Sequence, residues 1–474
     1  MTEAVDLAVI GAGPAGLAAA TTAAAHGLTV LLLDEQAAPG GQVWRQAERI
    51  LGADPSGLGK IAASYGGARE AVAALRRSAL DYRPGATVFD VSPELQVSWL
   101  QREAEGGGTR HAIHERAAKG LILATGAMER PLPFPGWTLP GVMGVGALQT
   151  ALKVGGLRPD SDGLVLAGQG PLLLLYLAQI AALGGRPAAI LDLAPPGRMG
   201  TALAGLPQAL FGDPRTMIRG FGLLLRRALS GARIYRGVTR LSAGGEESLE
   251  RLSFESGGRT HERACSLLGV HDGVIPSTQM SRLLGLDHRW HAERQCFEPL
   301  CDPDGRSSDA RVWIAGDGAG VEGADLATLR GTLAALKAAE HLGRLSAAES
   351  EAAAAPLRAR RARQQQARAF LDRLYAPVPL ENHLTDDTPI CRCEGVTAAA
   401  VRQAVEQGAG GPNRVKTFTR CGMGPCQGRF CGPSLVRLIA AQTGQPPDET
   451  GALRIRPPLK PILLGDYLEA EPEP

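Results

Sequence analysis

Five of the eight cysteines stand within forty-one residues, Cys391 to Cys431, near the C-terminal end of a chain of 474 residues. One residue separates Cys391 from Cys393. Thirty-two residues then intervene before Cys426 and four more before Cys431, with Cys421 between the two pairs. Four thiolates drawn from so tight a group can hold one [2Fe–2S] cluster. Structural zinc is the competing reading, but its ligands usually pair two to four residues apart, and the one-residue gap disfavours it. Cys391 and Cys393 enter the set through that short gap. Cys426 is joined by either Cys421 or Cys431. Arg392, Arg420 and Arg429 would stabilise the more negative reduced cluster, or else are ordinary solvated charge. Cys265, Cys296 and Cys301 are isolated and read as buried apolar residues. No Cys-x-x-Cys occurs before Cys391, which excludes disulfide-reductase chemistry.

The front of the chain carries Gly11-Ala12-Gly13-Pro14-Ala15-Gly16 between an apolar strand (6–10) and a helix (17–26). Glycines so placed let the backbone approach a pyrophosphate seated on the helix N-terminus. With seventeen residues between it and Gly16, Asp34 ends the next strand where a ribose hydroxyl would bind, and Glu35 is the neighbouring alternative. Three further pieces favour FAD over NAD here: Gly40-Gly41-Gln42, Ala124-Thr125-Gly126, and Trp313-Ile314-Ala315-Gly316-Asp317. Asp317 is placed to accept a flavin ribityl hydroxyl. In this order the pieces resemble the two-dinucleotide-domain flavoproteins that include thioredoxin and ferredoxin reductases.

A second strand–loop–helix unit opens at Gly163, with the loop Gly168-Gln169-Gly170 and Leu173 where the third glycine would stand. That glycine permits close helix–strand packing, so the loop is degraded. Its functional reading is a site for NAD or for ATP or ADP, with Asp192 at the ribose and set against a 2′-phosphate. The competing reading is a retained scaffold that no longer binds nicotinamide. His271-Asp272 could lie near the flavin and His288 with His291 could face a metal, but such histidines are more often hydrogen-bonded and inert. There is no Gly-x-Ser-x-Gly elbow and no His-Glu-x-x-His.

These groups need elements to position them. Aromatic residues make up only 4% while Gly and Ala abound, which favours close-packed α/β units over a β-sandwich. The net charge of +2 suggests neither nucleic acid nor an anionic membrane surface. Met1 to Val5 has no basic segment, so a cleaved signal peptide is not expected. The longest apolar run, Leu172 to Leu183, is too short to span a bilayer of ~30 Å. The expected location is the cytoplasm, free or peripheral to the inner-membrane respiratory chain. Residues 45–82 read as helical and polar, 86–114 as an antiparallel meander, and 357–375 as an Ala- and Arg-rich helix. The Arg run 358–363 reads as a solvated face, or as a dock for an acidic partner. Beyond Pro457 a poorly ordered, acidic end is expected. The expected division is an FAD-binding domain in two parts (1–145 and 286–345), a second Rossmann-like domain (146–285), a helical linker (346–388), a [2Fe–2S] domain (389–445) and a Pro-rich tail (446–474).

The segment from Cys391 to Cys431, with Gly422-Met423-Gly424-Pro425-Cys426-Gln427-Gly428-Arg429, resembles the bacterioferritin-associated-ferredoxin-like [2Fe–2S] domain. That resemblance implies Cys391, Cys393, Cys426 and Cys431 as ligands and leaves Cys421 as a nearby thiol. With Ala124-Thr125-Gly126-Ala127-x-Glu129-Arg130-Pro131, Gly273-Val274-Ile275-Pro276 and Ala315-Gly316-Asp317-Gly318-Ala319-Gly320, the whole chain resembles the alpha subunits of heteromeric opine oxidases and D-hydroxyproline dehydrogenases and the B chain of hydrogen cyanide synthase. The resemblance implies two Rossmann-like units and a small [2Fe–2S] domain, with FAD and the cluster as cofactors. It also implies a beta subunit related to D-amino-acid oxidase that oxidises an amino or imino acid or an opine, and a small ferredoxin-like gamma subunit. The rival readings are a stand-alone NAD(P)H-dependent flavoprotein reductase and a non-catalytic scaffold subunit.

Overall fold

The computed structural model describes residues 4–54, 57–105 and 108–468. The first apolar run, Val5–Ile10, is buried along its whole length and forms the centre of a seven-stranded sheet. It pairs in parallel with Val30–Asp34 on one side and with the second half of Gly108–Leu123 on the other. Val312–Ile314 returns from far along the chain to pair with that same half. A strand buried on both faces reads as a continuous apolar run, as these do. The first half of Gly108–Leu123 instead pairs antiparallel with Gln96–Glu105, which pairs with Ala86–Val91. One long strand thus joins the meander to the parallel sheet.

The stretch 45–82 is less helical than its sequence suggests. Helices Ala47–Leu51 and Ala68–Arg77 flank a 3-10 segment, Leu58–Ser64, and the edge strand Asp81–Pro84 follows. Trp44, Ile50, Ile61 and Tyr65 anchor these pieces in the core. Ahead of Ala68 scattered apolar residues hold the stretch down by packing; only the helix Ala68–Arg77 shows helical periodicity, burying Ala68, Val72 and Leu75.

The second sheet has five parallel strands, in the order Arg233–Arg236, Ala189–Asp192, Leu164–Gln169, Leu267–Asp272 and Val142–Gly144. Two short strands, Ala127–Glu129 and Val274–Pro276, pair antiparallel where the chain passes between the two sheets. Between Ala189–Asp192 and Arg233–Arg236 the crossover carries the helices Arg198–Ala202, Leu206–Gly212 and Pro214–Ala228.

The Ala- and Arg-rich helix is longer than expected, Ala347–Leu374. It starts early because Ser346 and Glu349 form a capping box, each side chain bonding the other's backbone N–H. The C-terminal unit packs Ile390, Val401, Val415, Leu435 and Ile439 into its own small core. The expectation of a poorly ordered end does not hold as far as residue 468. Leu459 is buried against the first sheet and its N–H donates to the Phe89 carbonyl at 2.6 Å. Lys460 pairs with Glu35, and a short helix, Leu464–Leu468, follows. Among the described residues no helix is long and apolar enough to cross a membrane.

Candidate functional site

The first dinucleotide loop is built by close approach. A Cβ on Gly16 would stand 1.7 Å from the Gly11 carbonyl oxygen, and one on Gly11, at φ +105°, would stand 2.4 Å from the Ala124 oxygen. Gly41 folds back onto the loop: a Cβ there would lie 2.8 Å from the Gly13 Cα. Pro14 and Ala15 open the helix Pro14–Ala25, where Pro costs no hydrogen bond. The buried Asp34 carboxylate accepts from the Ala12 N–H at 2.5 Å and from the Gln36 N–H at 2.7 Å. Burial raises its pKa. Each oxygen keeps a lone pair for a ribose hydroxyl. Glu35 is exposed and turned to Lys460. Thr125 Oγ1 donates to the Ser277 carbonyl at 3.1 Å, fixing Ala124-Thr125-Gly126 beside the loop. Gly316 packs on Ala15, where a Cβ would meet the Ala15 side chain at 2.6 Å. Asp317 Oδ1 accepts from the Glu322 and Gly323 N–H groups at 2.8 and 3.0 Å, which leaves Oδ2 for a ligand.

The second loop differs. Gly168 is pinned by the His271 carbonyl, 1.9 Å from where a Cβ would stand. Leu173 fills the helix–sheet interface with Leu166, Tyr176, Leu177 and Ile190. Asp192 is engaged on both oxygens, with Arg227 at 2.7 Å and the Ala194 N–H at 3.0 Å. Gln169 Nε2 donates to the Ala376 carbonyl at 2.6 Å, and Arg198 bonds both Gln169 and Ala376. The segment leading to the cysteine unit is therefore tied across this loop.

The five clustered cysteines converge. The sulfurs of Cys391, Cys421 and Cys431, all buried, lie within 4.8 Å of one another. Hydrogen bonds from Cys421 and Cys431 favour the Cys391 thiolate and lower its pKa to about 2. Cys393, which is exposed, makes a side-chain hydrogen bond with Cys426. Cys391 thus has two buried neighbouring thiols, Cys421 and Cys431, and Cys393 has Cys426. Four soft thiolates drawn from these five suit a [2Fe–2S] cluster. Cys265, Cys296 and Cys301 lie away from this group, and burial pushes each thiol up to about 11.

Both cofactor regions open onto one cleft of about 1970 Å³. Gly11, Gly13, Gly41, Gln42, Thr125 and Asp317 line it from the first loop, and Arg392, Arg429 and Phe430 from the cysteine unit. Gly170 also reaches it, whereas Gly168 and Asp192 do not. Two groups in its wall have partners that no local motif announces. His271, almost fully buried, is oriented by Glu129, with Nδ1 2.7 Å from Oε1, and its other ring edge faces Gly170. Lys153, which sequence reasoning missed, bonds the carbonyls of Gln42 and Val43 and the Gln149 amide oxygen, with no carboxylate partner among the described residues. Burial lowers its pKa to about 8. Both arrangements join segments far apart in sequence, so no short pattern could have found them. His288 is held by Ser281 and the Leu286 carbonyl, and His291 lies against Glu293. No metal-competent group among the described residues includes either one.

Comparison with known proteins matches residues 5–171 to the pyridine nucleotide-disulphide oxidoreductase family and residues 389–441 to the BFD-like [2Fe–2S] binding domain. The chain is 41% identical to the opine oxidase A subunit of Rhizobium meliloti (strain 1021), over 98% of both chains. It is 35% identical to the hydrogen cyanide synthase HcnB subunit of Pseudomonas aeruginosa, over 97% of both chains. Among solved structures it resembles L-proline dehydrogenase from P. horikoshii, with a TM-score of 0.67 over 98% of this chain and 79% of that one. At 19% identity that likeness speaks for the fold alone.

Proposed function

The chain belongs to the family of opine oxidase A subunits and hydrogen cyanide synthase HcnB subunits, and on that premise we propose that it relays electrons for a substrate oxidised on a partner chain. It is an oxidoreductase carrying FAD and a [2Fe–2S] cluster, and one subunit of a heteromeric dehydrogenase. The observation that carries the relay reading is the shared cleft, walled by residues of both cofactor regions. When bound, the flavin stores two electrons and the cluster one, so together they join two-electron oxidation to one-electron transfer. The proposed partner is a beta subunit related to D-amino-acid oxidase, which acts on an amino or imino acid or an opine. A respiratory acceptor and a small ferredoxin-like gamma subunit complete the proposed set.

In this reading the Gly11–Gly16 backbone holds the flavin pyrophosphate on a helix N-terminus. Asp34 takes the adenosine ribose and Asp317 Oδ2 the ribityl chain. Cys391, Cys393, Cys426 and Cys431 hold the cluster. The second Rossmann unit serves as a scaffold or an adenylate seat, since Asp192 is already paired with Arg227. Two measurements test this. In the complex assembled with its partners, Cys426→Ser should abolish substrate-driven acceptor reduction while FAD remains bound at the wild-type ratio; undiminished turnover rejects the relay. Anaerobic mixing of the isolated chain with NADH should leave the flavin band unchanged, and rapid bleaching would instead favour a reductase in its own right.

A further inference from the structure

The cysteine unit meets the flavin cleft through Arg392, Arg429 and Phe430, and a different part of it faces solvent. Cys393 is exposed and packs closely on Gly424, which stands between the exposed Met423 and Pro425. None of these four lines the cleft. The chain beyond residue 452 is laid along the same loop. Leu453 fills the space beside Gly422 and Gly428, the Pro458 carbonyl accepts from Gln427 Nε2, and the Leu459 carbonyl accepts from Arg429 at 2.7 Å. That path leaves Arg454 and Arg456 exposed beside the loop that carries Cys426. The Arg454 N–H donates to Asn413 Oδ1 at 2.9 Å, which ties the segment to the helix Pro412–Thr419 with its Arg414 and Lys416.

Charge selects the occupant. From Gly410 to Lys460 there are eight basic residues and two acids, Asp448 and Glu449, a net +6 in a chain whose total is +2. Asp448 accepts from the Trp290 N–H at 2.7 Å. Arg414, Lys416, Arg454 and Arg456 make no ion pair among the described residues. Burial and the charges of Arg456 and Arg454 lower the Lys416 pKa, so three cations crowd together. Elsewhere the arginines are matched: in the run 358–363, Arg358 pairs with Asp304 and Glu351, and Arg361 with Glu322. Unmatched like charges on one face attract a partner of the opposite sign and speed its approach. A small apolar centre beside a cofactor, rimmed by one sign of charge, suits the brief encounters of redox proteins, which bury less than about 1,200 Å².

We propose that this face docks a small acidic protein bearing a one-electron cofactor, which gains one electron as the reduced cluster loses one. The inference rests on the electron-relay reading. In the test, the full-length holoprotein is photoreduced anaerobically and mixed with acidic cytochrome b5 or basic cytochrome c, each of whose haem irons accepts one electron. Reduction of cytochrome b5 should slow by about tenfold between ~20 and ~300 mM NaCl, and that of cytochrome c should not slow. Arg454→Glu with Arg456→Glu should slow cytochrome b5 reduction by about tenfold at low salt, with flavin and cluster absorbance retained. Arg360→Glu with Arg363→Glu makes the same change of net charge on the helix Ala347–Leu374 and should keep the wild-type rate. A salt-independent rate with cytochrome b5, a wild-type rate from the Arg454 and Arg456 variant, or an equal loss from the Arg360 and Arg363 variant overturns the proposal. Cys426→Ser separates the docking face from the relay. Undiminished reduction of both cytochromes by that variant rejects the relay, whereas its loss beside a salt-independent wild-type rate rejects the docking face alone.

Discussion

The two dinucleotide loops of this chain share a backbone plan but have taken different paths. In both, the first glycine is pinned by a carbonyl of the neighbouring strand, Ala124 for Gly11 and His271 for Gly168. That glycine is a demand of the fold and carries no information about a ligand. The third position separates them. Gly16 lets helix and loop touch, whereas Leu173 joins an apolar core. The strand-end acids separate them again: Asp34 is tied to its own loop, and Asp192 to Arg227 near the end of the helix Pro214–Ala228. A fingerprint should therefore be read glycine by glycine, with the closing acid's partners beside it.

The largest effect should come from Gly16→Ala. Its Cβ would collide with backbone, which cannot give way, so the purified chain should carry little or no FAD by absorbance. Flavin retained near one per chain would mean that the first loop tolerates what the second has accepted, and the contrast would dissolve.

In the second loop, Leu173→Ala should leave FAD content unchanged but cost about 3 kcal/mol in denaturant unfolding, as a buried leucine truncated in a packed interface does. A change below about 1 kcal/mol would show that the position is loosely packed and that Leu173 does not fill the helix–sheet interface.

A smaller difference should separate the acids. Asp34→Asn should weaken FAD binding by about tenfold, the worth of a charged hydrogen bond to a hydroxyl. Asp192→Asn should leave FAD binding unchanged, because its carboxylate serves Arg227. Equal losses from both would refute the distinction. The cluster ligands offer a parallel contrast: Cys431→Ser should lose the visible absorbance of the cluster and Cys421→Ser should keep it. The reverse result would move Cys421 into the set.

Much of this was legible in the chain. The Gly11–Gly16 loop and its flanking strand are local patterns, and the one-residue spacing of Cys391 and Cys393 brings two sulfurs close whatever the rest of the fold does. Less was legible where packing acts without periodicity, as in residues 44–65, or where a Pro-rich end is held by long-range contacts such as Leu459 to Phe89.

By itself the sequence determined the strands and turns at the two loops and the donor chemistry, because these rest on side-chain period, glycine conformation and ligand type within a few residues. The tertiary structure decided the rest: the gathering of Cys391 with Cys421 and Cys431, the meeting of Cys393 with Cys426, the tie from Gln169 to Ala376 across the second loop, and the meeting of Glu129 with His271. Each of these joins groups whose separation along the chain leaves no periodic trace. Their contact is set by how the two sheets and the cysteine unit pack, which no local pattern encodes.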